Sequence, residues 1–185
     1  MLNESHSEHL KRFFADRLKN SAYWLSDAQL MYRSSRILFE TQLIALSKFI
    51  KAEDSMPHDW TLVDIELFRP ALMQTGFAIE LLLKATAIKI GHKPEKVIGK
   101  SHRMNDLTNM AMFTPTPKES ELLELLERSI LWSGRYPIPK KVEKFDFGRV
   151  DDFGGTHIIP KQMKETEDLY EKIKSSYYRM AKADV

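Results

Sequence analysis

The chain contains no cysteine. That absence removes disulfide frameworks, thiolate zinc sites and cysteine nucleophiles together, and it fits a reducing compartment, so a cytoplasmic location is expected. Glycine is sparse, at seven in 185 residues, and scattered. No glycine-rich loop can cradle a phosphate, and GxSxG, HExxH and calcium-loop patterns are missing too. An excess of one charge is lacking: 28 basic against 26 acidic side chains leave a net charge of +2. No long-range field therefore favours duplex DNA or a membrane surface, and nucleic-acid binding would have to be local. The longest apolar run, Phe77–Ile90, is broken by Glu80, Lys84 and Lys89, and falls short of the roughly 18 residues of a membrane span. No span and no membrane partner are expected. The opening Met1–His9 is polar, without the apolar core of a signal peptide, and residues 1–19 are expected to fray.

What is present is helical patterning on 43% apolar composition, enough for one domain (1–185) with one core. From about Asn20 to Ala52, Trp24, Ala28, Met31, Ser35, Leu38, Ala45 and Phe49 recur at helical spacing, and Phe39, Leu43, Leu46 and Ile50 widen the stripe. Met56-Pro57-His58-Asp59 ends that helix. A short helical entry at Asp64–Phe68 leads past Pro70 to a nearly all-apolar helix, Gln74–Ile90, with Gly91 as its C-terminal cap. Such a helix belongs in the middle of a bundle, and its Glu80 and Lys84, four apart, share a face. After a loop at Gly91–Lys100 comes a short helix, Arg103–Met112. Thr116-Pro117-Lys118-Glu119 then spells a capping box for a helix to about Ser133, burying Leu122, Leu123, Leu126 and Ile130. Gly134–Pro160 reads as a long loop, and Lys161–Lys182 as a last helix turning Met163, Leu169, Tyr170, Ile173, Tyr177 and Met180 inward. The fold class is all-α: a single bundle of about five or six mostly antiparallel helices, with a long loop before the C-terminal one.

Three features carry chemistry. Glu80 and Lys84 are either a polar contact inside the bundle or an electrostatic element lining a cleft. His102, with Asn105 and Asp106 close behind, is either a helix-start residue bonding the backbone or a proton-transfer group. Trp132-Ser133-Gly134-Arg135-Tyr136-Pro137-Ile138-Pro139 sets an arginine and two aromatics at a helix end. Arginine grips phosphate bidentately and aromatics stack on bases; alternatively Arg135 braces a corner against an acid such as Glu80. Lys140, Lys141 and Lys144 read as a solvated loop. His6 and His9, three apart, could share a metal but lie in a polar leading segment, so neither a metal nor a cofactor is expected.

Gly76-Phe77-Ala78-Ile79-Glu80-Leu81-Leu82-Leu83-Lys84-Ala85, then Ser101-His102-Arg103-Met104-Asn105-Asp106-Leu107, then Trp132-Ser133-Gly134-Arg135-Tyr136-Pro137 resemble, in order and rough spacing, the HEPN-like superfamily of small helical domains of bacteria and archaea. Its patterns are an A-x-E-x-x-L-K-A helix, a loop with His-Asp-Leu and, in some branches, a Gly-Arg-Tyr-Pro turn. The resemblance covers 69–139. It implies a bundle, commonly a homodimer, that binds nucleotides or RNA, partners a nucleotidyltransferase or a toxin, or cuts RNA in defence and toxin–antitoxin systems. The cutting branch carries arginine and histidine separated by four to six residues. Here Arg149 and His157 have seven residues between them, and Arg103 stands where aspartate usually follows the histidine. The leading expectation is therefore a non-catalytic module, with Glu80, Lys84, His102, Arg135 and Tyr136 around one ligand site. The alternatives are a metal-independent endoribonuclease using Arg149 and His157, and a purely structural interaction protein.

Overall fold

The computed structural model describes residues 6–51, 67–100, 102–133 and 158–180. Among them are seven α-helices and no strand: α1 His6–Lys19, α2 Ser21–Lys51, α3 Phe68–Lys89, α4 Pro94–Ile98, α5 Met104–Met110, α6 Pro117–Arg128 and α7 Ile158–Met180. A π-helical turn, Ser129–Ser133, extends α6. The all-α architecture is as expected, with two helices that the sequence reading left as coil. One is α1, in the segment expected to fray: none of its residues is buried, but Trp24 Nε1 donates to Leu18 O and the Arg17 guanidinium lies over the Tyr23 ring, which ties it to α2. The other is α4, which starts on Pro94 and buries Val97 within the stretch read as a loop.

The apolar spine is α3, longer than expected at its start. Pro70 falls in its first turn, where a missing N–H needs no intrahelical partner. At the other end Gly91, at φ +97°, closes a Schellman motif in which its N–H donates to Ile88 O and that of His92 to Ala87 O. Leu72, Ile79, Leu82 and Leu83 are fully buried, each contributing about 1.5–3 kcal/mol by leaving water. The helix packs against α2, α4, α5, α6 and α7. It is long and apolar enough to cross a membrane, yet 78% of its most apolar window is covered by the rest of the chain, which makes it a core helix.

Side-chain pairs set the directions of the long helices. Phe39 packs on Phe68, and Tyr23 and Trp24 share a groove with Leu81, so α2 and α3 run antiparallel. Ser21 bonds Tyr177, Tyr32 stacks on Tyr170 at 3.8 Å, and Arg36 pairs with Glu167, so α2 and α7 do too. The inward residues expected of α6 and α7 are buried, except Met180, which is half-buried. On α2, Met31 was expected inside and is 40% exposed.

The capping box forms as read: Glu119 N–H donates to Thr116 Oγ1 and Thr116 N–H to Glu119 Oε2. Lys172 Nζ adds hydrogen bonds to both carboxylate oxygens. Burial pushes the Glu119 carboxyl up, but the bonds from Lys172 and Thr116 outweigh it and hold it below the ordinary value. A depressed carboxyl contributes stability that is present above its unfolded pKa and lost as pH falls through its folded one. Thr116→Ala is expected to cost about 1 kcal/mol in urea denaturation at neutral pH, and Glu119→Gln to flatten the loss of stability below about pH 4.

Candidate functional site

The site is built on one face of α3. Four-residue spacing stacks Glu80 under Lys84, and the helix positions both in the interior, 4% and 7% exposed. Lys84 Nζ donates to Glu80 Oε1 at 2.5 Å, and the other carboxylate oxygen, Oε2, lies 2.7 Å from His102 Nδ1. An ionised carboxylate only accepts, so Nδ1 carries the hydrogen, and Nε2 is the ring atom left for other partners. Burying a charged pair costs desolvation unless its hydrogen bonds are made; here Glu80 accepts two and Lys84 donates one.

His102 reaches this position through an uncommon backbone. Its φ is +48°, in the left-handed region, where histidine is among the better-tolerated side chains. Phe77 meets the ring edge-on, at 6.0 Å between centroids. The imidazole is thus fixed from two sides by α3, while its side chain keeps 30% of its exposure. Of the two roles read from the sequence, the backbone-bonding one does not describe it: His102 bonds a carboxylate, and the first N–H of α5, that of Met104, donates to Glu127 Oε2. Glu127 and Phe77 are site residues that spacing alone did not single out. In the same stretch of chain, Asp106 pairs with Lys100 at 3.3 Å and Arg103 at 3.9 Å, all three at least partly exposed.

Of the sequence-predicted site, Glu80, Lys84 and His102 come together. Arg135 and Tyr136, and the alternative pair Arg149 and His157, lie outside the described residues. Glu80, proposed as a brace for Arg135, finds its partners in Lys84 and His102. No family model, curated protein or solved structure matches this chain. Any role for the site rests on its own geometry.

A second feature adjoins it. A groove of about 290 Å³ is lined by Phe13, Phe14, Tyr23, Trp24 and Leu81, with Arg17 and Asp27 among its walls. Leu81 is one turn beyond Phe77 on α3, so the groove begins about 6 Å along the helix from the ring that touches His102. Among the described residues no group of three or more His, Asp or Glu side chains is placed to hold a metal ion.

Proposed function

We propose that the protein is a non-catalytic helical binding module that takes a nucleotide or an RNA end at the connection between α3 and α5. His102 carries the reading. A buried carboxylate, neutralised by a buried lysine and aided by a left-handed backbone, holds one imidazole whose Nε2 has no hydrogen-bond partner among the described residues. Strained residues held by buried polar partners recur at functional sites, where orientation matters more than local stability.

The surroundings favour an anionic ligand. Between Gly91 and Arg103 the chain carries Lys93, Lys96, Lys100 and Arg103 against Glu95 alone. Phosphate oxygens would find donors in Arg103 and Lys100, Nε2 of the imidazole would accept from a ribose hydroxyl or a base N–H, and the aromatic groove one turn along α3 offers faces on which a base can stack. The resemblance to HEPN-like domains points to the same ligand class and to a defence or toxin–antitoxin setting.

Fluorescence anisotropy with a labelled adenine nucleotide and with short 5′-phosphorylated RNA tests the reading. Arg103→Ala is expected to weaken binding roughly 10- to 100-fold, the worth of a charge-assisted hydrogen bond, and His102→Ala roughly 3- to 10-fold, that of a neutral one. Phe14→Ala, at a side chain 64% exposed on a helix with no buried residue, should weaken it while leaving stability unchanged. No binding by the wild-type chain, or equal binding by His102→Ala, refutes the site.

The burial of Glu80 and Lys84 favours a second reading, in which the polar cluster only pins α5 to α3 and the protein acts by holding a partner such as a toxin or a nucleotidyltransferase. Under that reading His102→Gly, which relieves the backbone and removes the ring, changes stability and nothing else.

A further inference from the structure

We propose that His102 is a phosphoryl acceptor, which takes one phosphoryl group covalently on Nε2 from a small phosphoryl donor. The imidazole is that of the binding reading, but acceptance needs no nucleotide seated in the groove and stands apart from that reading. The tautomer carries it. Glu80 Oε2 lies 2.7 Å from Nδ1, so the ring hydrogen is on Nδ1, and Nε2 keeps a lone pair with no hydrogen-bond partner among the described residues. That lone pair is the nucleophile of an imidazole. An unanchored imidazole moves its hydrogen between the two nitrogens. Here a buried carboxylate, itself held by Lys84, fixes it on one of them.

The transfer balances without a base. The Nε2 lone pair forms a bond to phosphorus, the bond from phosphorus to its leaving group breaks, and the leaving group departs with that electron pair. A triphosphate donor would leave as the diphosphate. No proton has to leave the attacking nitrogen. The ring retains its Nδ1 hydrogen and becomes positive, and the charge develops beside a carboxylate that is almost closed off from water, where it is stabilised most strongly. The His102 side chain, 30% exposed, is open to a donor. Lys100 and Arg103, which flank it closely in sequence, are both exposed and share Asp106 as their acid. They suit a transferred group that brings about two negative charges, whereas a neutral acyl group would draw nothing from them. His92 provides the contrast, being exposed with no carboxylate at its ring among the described residues.

The full chain is incubated separately with phosphoramidate, a small donor without a base, and with γ-labelled adenosine triphosphate and magnesium. Peptide mass spectrometry under alkaline conditions locates the label, and phosphorus NMR tells Nε2 from Nδ1. His102 should take phosphoryl from phosphoramidate roughly 10-fold faster than His92, on Nε2, and urea should abolish the preference. Arg103→Ala, at an exposed side chain, should slow labelling roughly 3- to 10-fold with the fold intact. Glu80→Leu with Lys84→Met removes the anchor and keeps the core apolar; it should slow labelling roughly 10-fold or more and spread the phosphoryl over both nitrogens, which a loss of stability alone would not do. Label from the triphosphate as well identifies a nucleotide as the source, and label from phosphoramidate alone identifies a donor without a base. Labelling of His102 no faster than of His92, attachment at Nδ1, or a rate and position unchanged in the double variant overturns the proposal. If the chain binds no nucleotide, the phosphoramidate arm still decides.

Discussion

Replacing Glu80 by alanine is expected to destabilise the protein by about 3–5 kcal/mol. The loss comes from what remains rather than from what is removed. Lys84 keeps its ammonium in a site 7% exposed, with its carboxylate partner gone, and a buried charge without a counterpart bears its full desolvation cost. Lys84→Met should cost less, because Glu80 retains its hydrogen bond with His102. The double substitution Glu80→Leu with Lys84→Met removes both charges and leaves apolar volume in an apolar helix. It is expected to fall within about 2 kcal/mol of the wild type, or to exceed it, as replaced buried pairs often do. Urea denaturation of the four proteins closes a double-mutant cycle, and additive losses would contradict a direct pair. The same double variant separates the two functional readings. It leaves the bundle folded and the imidazole without its anchor, so ligand binding should fall with the fold intact if the pair exists to orient His102. If the pair is only a polar contact of the core, nothing measurable should change beyond stability.

The polar stripe was legible in the sequence because it is local. Glu80 and Lys84 lie four apart on a helix whose neighbours are all apolar, and helical geometry alone puts them together. His102 is 22 residues away and joins them only once α3, α4 and α5 are folded, so composition and spacing could mark it only as a helix-start residue or a proton-transfer group. It was the order of the motifs that placed it beside Glu80. Glu127 escaped notice for a related reason: a glutamate at the edge of the buried stripe of α6 looks like any solvated one until α5 brings Met104 N–H to it. On α2 the failure was one of choice between faces. Trp24, Ala28, Ser35 and Leu38 describe one helical stripe, and Tyr23, Leu30, Ile37 and Ile44 another that is nearly as apolar. Periodicity ranks the two almost equally, and only the docking of α3 against Leu25, Ala28, Phe39 and Leu46 decides which is inside. Met31, between the two, was assigned to the wrong one.

Gly76 makes the final case, since its role depends on an approach between helices that no local pattern reveals. A Cβ on this residue would sit 2.9 Å from Ile130 Cγ1 and 3.0 Å from the Leu126 carbonyl oxygen. The first can move with its side chain; the second belongs to the backbone of α6 just before its π-helical turn. Gly76→Ala is therefore expected to destabilise by about 1–3 kcal/mol, through overpacking, despite the better helix propensity of alanine. Ile130→Ala alone should cost about 2–5 kcal/mol by opening a cavity in a fully buried position. Combined, each change relieves part of the other: the added methyl enters space the isoleucine vacated, and the double variant should be more stable than the sum of the single losses by about 0.5–3 kcal/mol. A strictly additive pair would mean that the carbonyl, and not Ile130, sets the distance between α3 and α6. In that case the glycine is required by the backbone of the bundle itself, and no side-chain substitution on α6 can replace it.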